Sequence, residues 1–140
     1  DAGLHVFNHN METVRRLYRR VLPQAKYEQS LRVLEFAKSK RPDILTKSGL
    51  MAGLGESTEE VYQLLQDVRN SGTDVATIGQ YLQPTRSNLR VAEYVTPEQF
   101  EAYKQFGLSI GFRMVFSGPF VRSSYMADLV NEQALLAPGA

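Results

Sequence analysis

Residues 44–81 read ILTKSGLMAGLGESTEEVYQLLQDVRNSGTDVATIGQY, and their pattern decides the fold class. The apolar run 44–51 closes in Gly53-Leu54-Gly55, as a strand entering a tight turn does. Ser57 and Glu60 stand three apart. That is the spacing of a capping box, in which the serine oxygen and the carboxylate each satisfy an orphaned backbone N–H. Val61, Leu64, Leu65 and Val68 follow at helical spacing, and Gly72 is placed to end the helix in the left-handed conformation. The β-branched and aromatic run 75–81 predicts a second strand. Strand, tight turn, amphipathic helix and strand make one β/α unit.

The same alternation extends in both directions. Upstream, Val6-Phe7, preceded by Leu4, reads as a short strand ending in Asn8-His9-Asn10. A basic helical turn over 13–20 follows, broken by Pro23. A helix over 27–40 carries the apolar stripe Tyr27, Leu31, Leu34 and Ala37, and Pro42 stops it. Downstream, Pro84 ends the strand at 75–81. Thr96 caps a further helix with Pro97 at its first position and Gln99 completing a box. Phe100, Tyr103, Phe106, Gly107 and Ile110 line its buried face, Gly111 ends it, and 113–116 is a last strand. The expected class is α/β, with parallel β/α units in an open sheet or part of a barrel. Residues 1–129 read as one unit and 130–140 as a flexible tail. The start at Asp1-Ala2-Gly3-Leu4 reads as a cut through a larger protein.

Composition narrows the function classes. The 140 residues suffice for one hydrophobic core, and 43% hydrophobic with 22% charged is ordinary for a globular protein. A formal net charge of +1 gives no argument for nucleic acid or an anionic membrane, and no apolar run is long enough to span a bilayer. With no cysteine, the chain can form no disulfide, thiolate zinc site or cysteine-ligated iron–sulfur cluster of its own.

In a parallel β/α fold, function gathers at the carboxyl ends of the strands. Those ends carry Asn8-His9-Asn10, Lys47-Ser48-Gly49 and Gln80-Tyr81-Leu82-Gln83, and the last strand leads to Arg122-Ser123-Ser124-Tyr125. A few polar groups above an apolar floor are what a small-molecule site requires. Each also has a structural reading. Asn8 and Asn10 suit turns and caps. His9, four residues from His5, suits a structural hydrogen bond. Gly53-Leu54-Gly55-Glu56 lacks both the P-loop and the three-glycine dinucleotide pattern, and serves equally as a strand-to-helix turn. Arg15-Arg16 and Arg19-Arg20 suit a solvated helix face or the docking of an acidic partner.

Taken in order, these segments resemble the lipoyl synthases. Phe7-Asn8-His9-Asn10 with Glu12-Thr13-Val14 is similar to that family's fourth strand and loop. Thr46-Lys47-Ser48-Gly49-Leu50-Met51 with Gly53-Leu54-Gly55-Glu56 is similar to the fifth, and Ile78-Gly79-Gln80-Tyr81-Leu82-Gln83-Pro84 to the sixth. Gly118-Pro119 with Val121-Arg122-Ser123-Ser124-Tyr125 resembles its signature terminus, and the likeness runs from about residue 3 to residue 128. Where many members continue the signature as Tyr-His-Ala, this chain has Tyr125-Met126-Ala127, so no role transfers to that position.

The resemblance implies the carboxy-terminal half of a partial six-unit β/α barrel in a radical S-adenosylmethionine (SAM) enzyme. Such enzymes insert sulfur at carbons 6 and 8 of a protein-bound octanoyl-lysine, using SAM and two 4Fe-4S clusters. The cluster cysteines lie in the other half, so this chain alone is expected to be inactive. Ser124 resembles the oxygen ligand of the sulfur-donating cluster, an oxygen being held less tenaciously than a thiolate. Arg122 is expected beside that cluster or the substrate. Asn8, Asn10, Lys47, Ser48, Gly49, Gly53, Gln80 and Gln83 are the expected SAM-facing residues, with Gln80 and Gln83 also candidates for substrate. Implied partners are octanoylated carriers, namely the E2 domains of 2-oxoacid dehydrogenases and the glycine cleavage H protein, and an electron donor, with neither nucleic acid nor membrane. The implied location is cytoplasmic, or mitochondrial or plastid in a eukaryote. Two other readings are a different radical SAM sulfur-inserting enzyme, such as a biotin synthase relative, and a non-catalytic β/α module that binds a nucleotide or partner. The Arg-Ser-Ser-Tyr terminus argues against the biotin synthase relative.

Overall fold

Strands β1 (Val6–Asn8), β2 (Leu45–Ala52), β3 (Val75–Gln80) and β4 (Met114–Ser117) pair in parallel and in chain order, β1-β2-β3-β4. The computed structural model describes residues 6–21 and 26–121. A 3-10 turn (Arg15–Leu17) leads into the short α1 (Tyr18–Val21), and α2 (Tyr27–Lys40), α3 (Thr58–Asn70) and α4 (Pro97–Ser109) connect the strands. The expected tail and the residues Leu4, His5, Pro23, Arg122 and Ser124 lie outside the described residues.

Alternation along the strands separates two faces. Leu50, Ala52, Ala76, Ile78 and Val115 join Leu34 of α2, Val61, Leu64, Leu65 and Val68 of α3, and Phe100 and Tyr103 of α4 in the main core. Leu45 and Val75 form a smaller cluster on the opposite face with Val6, Met114 and Phe116. All three long helices thus pack on one face of a sheet in sequential order. That arrangement is consistent with units of a partial β/α barrel, because a doubly wound sheet places helices on both faces.

The local signals act as their chemistry requires. Ser57 Oγ accepts from Glu60 N at 3.1 Å, and the Glu60 carboxylate accepts from Ser57 N at 2.8 Å. Gly72 stands at φ 93° past the end of α3. The four apolar residues of α3 are all buried, each contributing on the order of 1.5–3 kcal/mol relative to exposure. On α2, Tyr27 and Leu34 are buried and Leu31 partly so. At α4 only half of the expected box forms. Thr96 Oγ1 accepts from Gln99 N at 3.1 Å, but Gln99 does not return to the cap. Its Oε1 accepts instead from the Thr58 hydroxyl at 3.3 Å, because the start of α3 lies beside that of α4 and offers a closer donor.

Arg16 extends the α3 cap. Its guanidinium donates to both Glu60 carboxylate oxygens, at 2.7 and 3.0 Å, and to the Gly55 carbonyl at 2.8 Å. This fork holds the Glu60 carboxyl at about 2, against an ordinary value of 4.5. A carboxyl depressed by folding adds stability above its unfolded pKa and loses it as pH falls toward the folded value. The Tm difference between the unsubstituted protein and Glu60→Gln is therefore expected to be largest above pH 4.5 and to shrink toward pH 2. Thermal melts across that window check it.

Candidate functional site

Beyond the carboxyl ends of the strands lies a cavity of about 510 Å³. Asn10 and Glu12 line it from the loop after β1, Gly49, Leu50 and Met51 from β2, and Thr77, Gly79 and Gln80 from β3. Leu82, Pro119 and Val121 complete its wall.

The loop after β1 leaves the sheet and then rejoins it. His9 N donates to the Lys47 carbonyl, and Met11 N and Glu12 N both donate to the Gly49 carbonyl, each at 3.0 Å. Met51 N donates back to the Glu12 carbonyl at 2.9 Å, so Glu12 makes an isolated parallel bridge with Leu50. Glu12 adopts φ 77°, and among the described residues it is the one non-glycine in the left-handed region. Such a conformation costs free energy and persists where surrounding contacts over-determine it, often at functional sites. Burial pushes the Glu12 carboxyl up, opposed by a hydrogen bond from the Asn10 side chain and by the nearby His9. Asn10 Oδ1 is buried and has no hydrogen-bond partner among the described residues. A buried acceptor of this kind costs about 1–3 kcal/mol unless a ligand or water donates to it.

The floor is made by glycine. A Cβ at Gly49 would overlap Thr77 Oγ1 and lie 3.1 Å from the Thr77 carbonyl and 3.3 Å from Asn10 Oδ1. A Cβ at Gly79 would lie 2.6 Å from the Val121 carbonyl, so the chain after β4 crosses close over the end of β3.

Two loops wall the rim. Glu56 is buried and accepts from Gly53 N and Leu54 N, both at 2.9 Å. The Gly53 carbonyl accepts from Ala92 N and Glu93 N at 2.8 and 3.2 Å. Gln80 Nε2 donates to the carbonyls of Tyr81 and Glu93 at 2.9 and 3.0 Å, and its Oε1 accepts from Val95 N at 2.9 Å. Segment 81–95 is thus strapped to the β2–α3 turn, with Leu82 held at the cavity.

The structure brings Asn10, Gly49 and Gln80 together, and it separates the other expected SAM-facing residues, all of them among the described residues, from the lining. Asn8 is exposed at the end of β1. Lys47 and Ser48 do not share a face, since neighbours on a strand point oppositely. Lys47 lies on the Gly49 face, fully buried, and burial lowers its ammonium pKa. Ser48 is buried on the face that carries the helices. Gly53 shapes the turn at φ 100°, and the Gln83 amide donates to the Asn88 carbonyl at 2.9 Å in the exposed loop. Of the lining residues that sequence reasoning missed, Glu12 and Thr77 are the ones with polar side chains. The register Gly49↔Thr77 becomes readable once β2 and β3 are aligned, whereas the left-handed Glu12 has no signal in periodicity. Among the described residues no group of three or more His, Cys, Asp or Glu is placed to hold a metal ion, and no helix is long and apolar enough to cross a membrane.

A binding face with a free buried amide oxygen, a carboxylate and a glycine floor suits a ligand that presents hydrogen-bond donors and packs a flat or apolar body closely. No protein-family model matches the chain. It is 54% identical to the lipoyl synthase of Rubrobacter xylanophilus over 134 residues, covering 96% of this chain and 42% of that protein. It is 57% identical to the lipoyl synthase of Flavobacterium johnsoniae over 128 residues, covering 91% and 44%. With the chloroplastic lipoyl synthase 1 of Oryza sativa subsp. japonica it shares 57% identity over 137 residues, covering 97% and 37%. The chain spans about two-fifths of the length of these curated relatives and corresponds to their carboxy-terminal part.

Proposed function

We propose, on the premise that the chain belongs to the lipoyl synthase family, that its cavity holds SAM during sulfur insertion into a protein-bound octanoyl-lysine. The observation that carries this reading is the unpartnered Asn10 Oδ1 beside the Glu12 carboxylate, above the Gly49 floor. SAM presents an ammonium group and ribose hydroxyls to such acceptors, and an adenine ring that needs a floor without a side chain. Asn10 and Glu12 would bind the donors, Gly49 and Gly79 would admit the ligand, and Met51, Leu82 and Val121 would screen it from water. Bound SAM supplies the hydrogen-abstracting chemistry. The chain has no cysteine, so thiolate ligands for the two 4Fe-4S clusters come from elsewhere in the protein. Ser124 would lend an oxygen to the sulfur-donating cluster and Arg122 would stand beside it or the substrate, which rests on the signature alone. Without the cluster cysteines this chain is inactive. Its partners are octanoylated lipoyl carriers and an electron donor, in the cytoplasm or in an organelle.

The test uses the full-length parent protein, which carries the cluster cysteines, with reconstituted clusters, reductant, SAM and an octanoyl-lysine peptide, and follows 5′-deoxyadenosine and lipoyl product separately. Asn10→Ala is expected to lower both. Ser124→Ala is expected to leave SAM cleavage while lipoyl formation collapses. If the unsubstituted protein forms neither product, the reading falls and a non-catalytic binding role replaces it.

A further inference from the structure

The peptide unit between Met11 and Glu12 is gripped at both ends. Its N–H, on Glu12, donates to the Gly49 carbonyl at 3.0 Å, and its carbonyl, on Met11, accepts from the Tyr18 hydroxyl. The backbone bonds of this loop run to β2 and set its height on the sheet. The Tyr18 bond comes from the other side, out of the core, where the ring is 5% exposed and the phenol is also hydrogen-bonded to the Ser30 side chain of α2. The Tyr18 ring meets Tyr27 edge-on at 5.5 Å, and the Tyr27 hydroxyl donates to Asp67 of α3 at 2.7 Å. The phenol is therefore fixed by the Tyr27 ring and Ser30, both on α2, before it reaches the loop, and Tyr27→Phe keeps that ring.

The plane it holds immediately precedes the left-handed φ of Glu12. Rotating that peptide would let Glu12 relax to negative φ and carry its carboxylate away from the cavity. We propose that Tyr18 is a positioning residue: its hydroxyl locks the Met11–Glu12 peptide and so fixes the angle at which Asn10 and Glu12 present their polar atoms to the ligand. This rests on the SAM-binding reading above and adds to it a group that never touches the ligand. Tyr18→Phe keeps the ring, removes one oxygen, and leaves the buried Met11 carbonyl without its donor.

Two measurements on the cluster-reconstituted full-length parent test this. They are calorimetric binding of S-adenosylhomocysteine, a non-reacting probe, and hydrogen exchange at the Glu12 amide. Tyr27→Phe is the control, because it removes a neighbouring buried hydroxyl that does not reach the loop. Tyr18→Phe is expected to weaken binding about tenfold and to speed exchange at Glu12, while Tyr27→Phe stays within about twofold. Unchanged binding and exchange in Tyr18→Phe, or equal weakening in both variants, would overturn the proposal. If the unsubstituted protein binds no probe, the exchange data separate the two ideas. Loss of Glu12 protection in Tyr18→Phe alone supports the positioning role while the SAM reading falls, and unchanged protection removes both.

Discussion

Gly49→Ala is expected to weaken S-adenosylhomocysteine binding by about 100-fold and to lower stability by about 1–3 kcal/mol. Gly49 sits on a central strand, paired with Thr77, on the face that lines the cavity. The added methyl would collide with Thr77 Oγ1 and press on the Thr77 carbonyl at 3.1 Å and on Asn10 Oδ1 at 3.3 Å. The hydroxyl belongs to a β-branched side chain with few rotamers, and the carbonyl belongs to the sheet. Neither yields cheaply, so strain passes to Asn10, the one neighbour on a loop. Stability and binding therefore fall together, but binding falls further, because the methyl also occupies the floor. The double variant Gly49→Ala with Thr77→Ala separates the contributions. It should recover much of the lost Tm and little of the affinity. Binding by Gly49→Ala within about twofold of the unsubstituted protein would remove the glycine floor from the site.

The fold was legible wherever a few neighbouring residues decide an element. Ser57 and Glu60 cap α3 through atoms three residues apart, and Gly72 ends it through its own φ, so neither depends on distant contacts. Boundaries shifted by a residue or two, as at β2 and β3, where pairing with the next strand decides the last member. The site was less legible because its polar groups are shared with the scaffold. Gln80 reads as a ligand contact in a polar cluster, yet its amide is consumed by carbonyls and an N–H from Tyr81, Glu93 and Val95. Arg16 reads as one of four surface arginines, yet it closes the cap of a helix that begins 42 residues later, at Thr58. Lys47 and Ser48 could have been separated on the strand assignment alone, since alternation forbids neighbours on one strand from facing one pocket. The Met11–Glu12 turn lay beyond any local pattern. Its contacts come from far along the chain: Gly49 and Tyr18, 31 positions apart, bond to the same peptide.

Glu56→Ala is the second substitution with a large expected effect, about 2–5 kcal/mol of stability, or some 6–20 °C in Tm. The Glu56 carboxylate lies buried against the turn after β2 and accepts from both Gly53 N and Leu54 N. Alanine leaves two buried donors unsatisfied, at Leu54 and at Gly53, a glycine already in the left-handed region with no Cβ to limit its backbone. The damage does not stop at the turn. The Gly53 carbonyl holds Ala92 and Glu93, so a turn that reorients releases the strap over 81–95 and with it Leu82 at the cavity wall. Glu56→Gln keeps the shape and one acceptor oxygen but turns an N–H toward an N–H. It should fall between alanine and the unsubstituted protein in Tm, with raised exchange at Ala92 and Glu93. Because Glu56 does not line the cavity, its loss acts on the ligand only through the strap. Exchange at Ala92 and Glu93 should therefore rise in proportion to the loss of affinity across the two variants. An affinity that falls while those amides stay protected would instead mean that the β2–α3 turn touches the ligand directly.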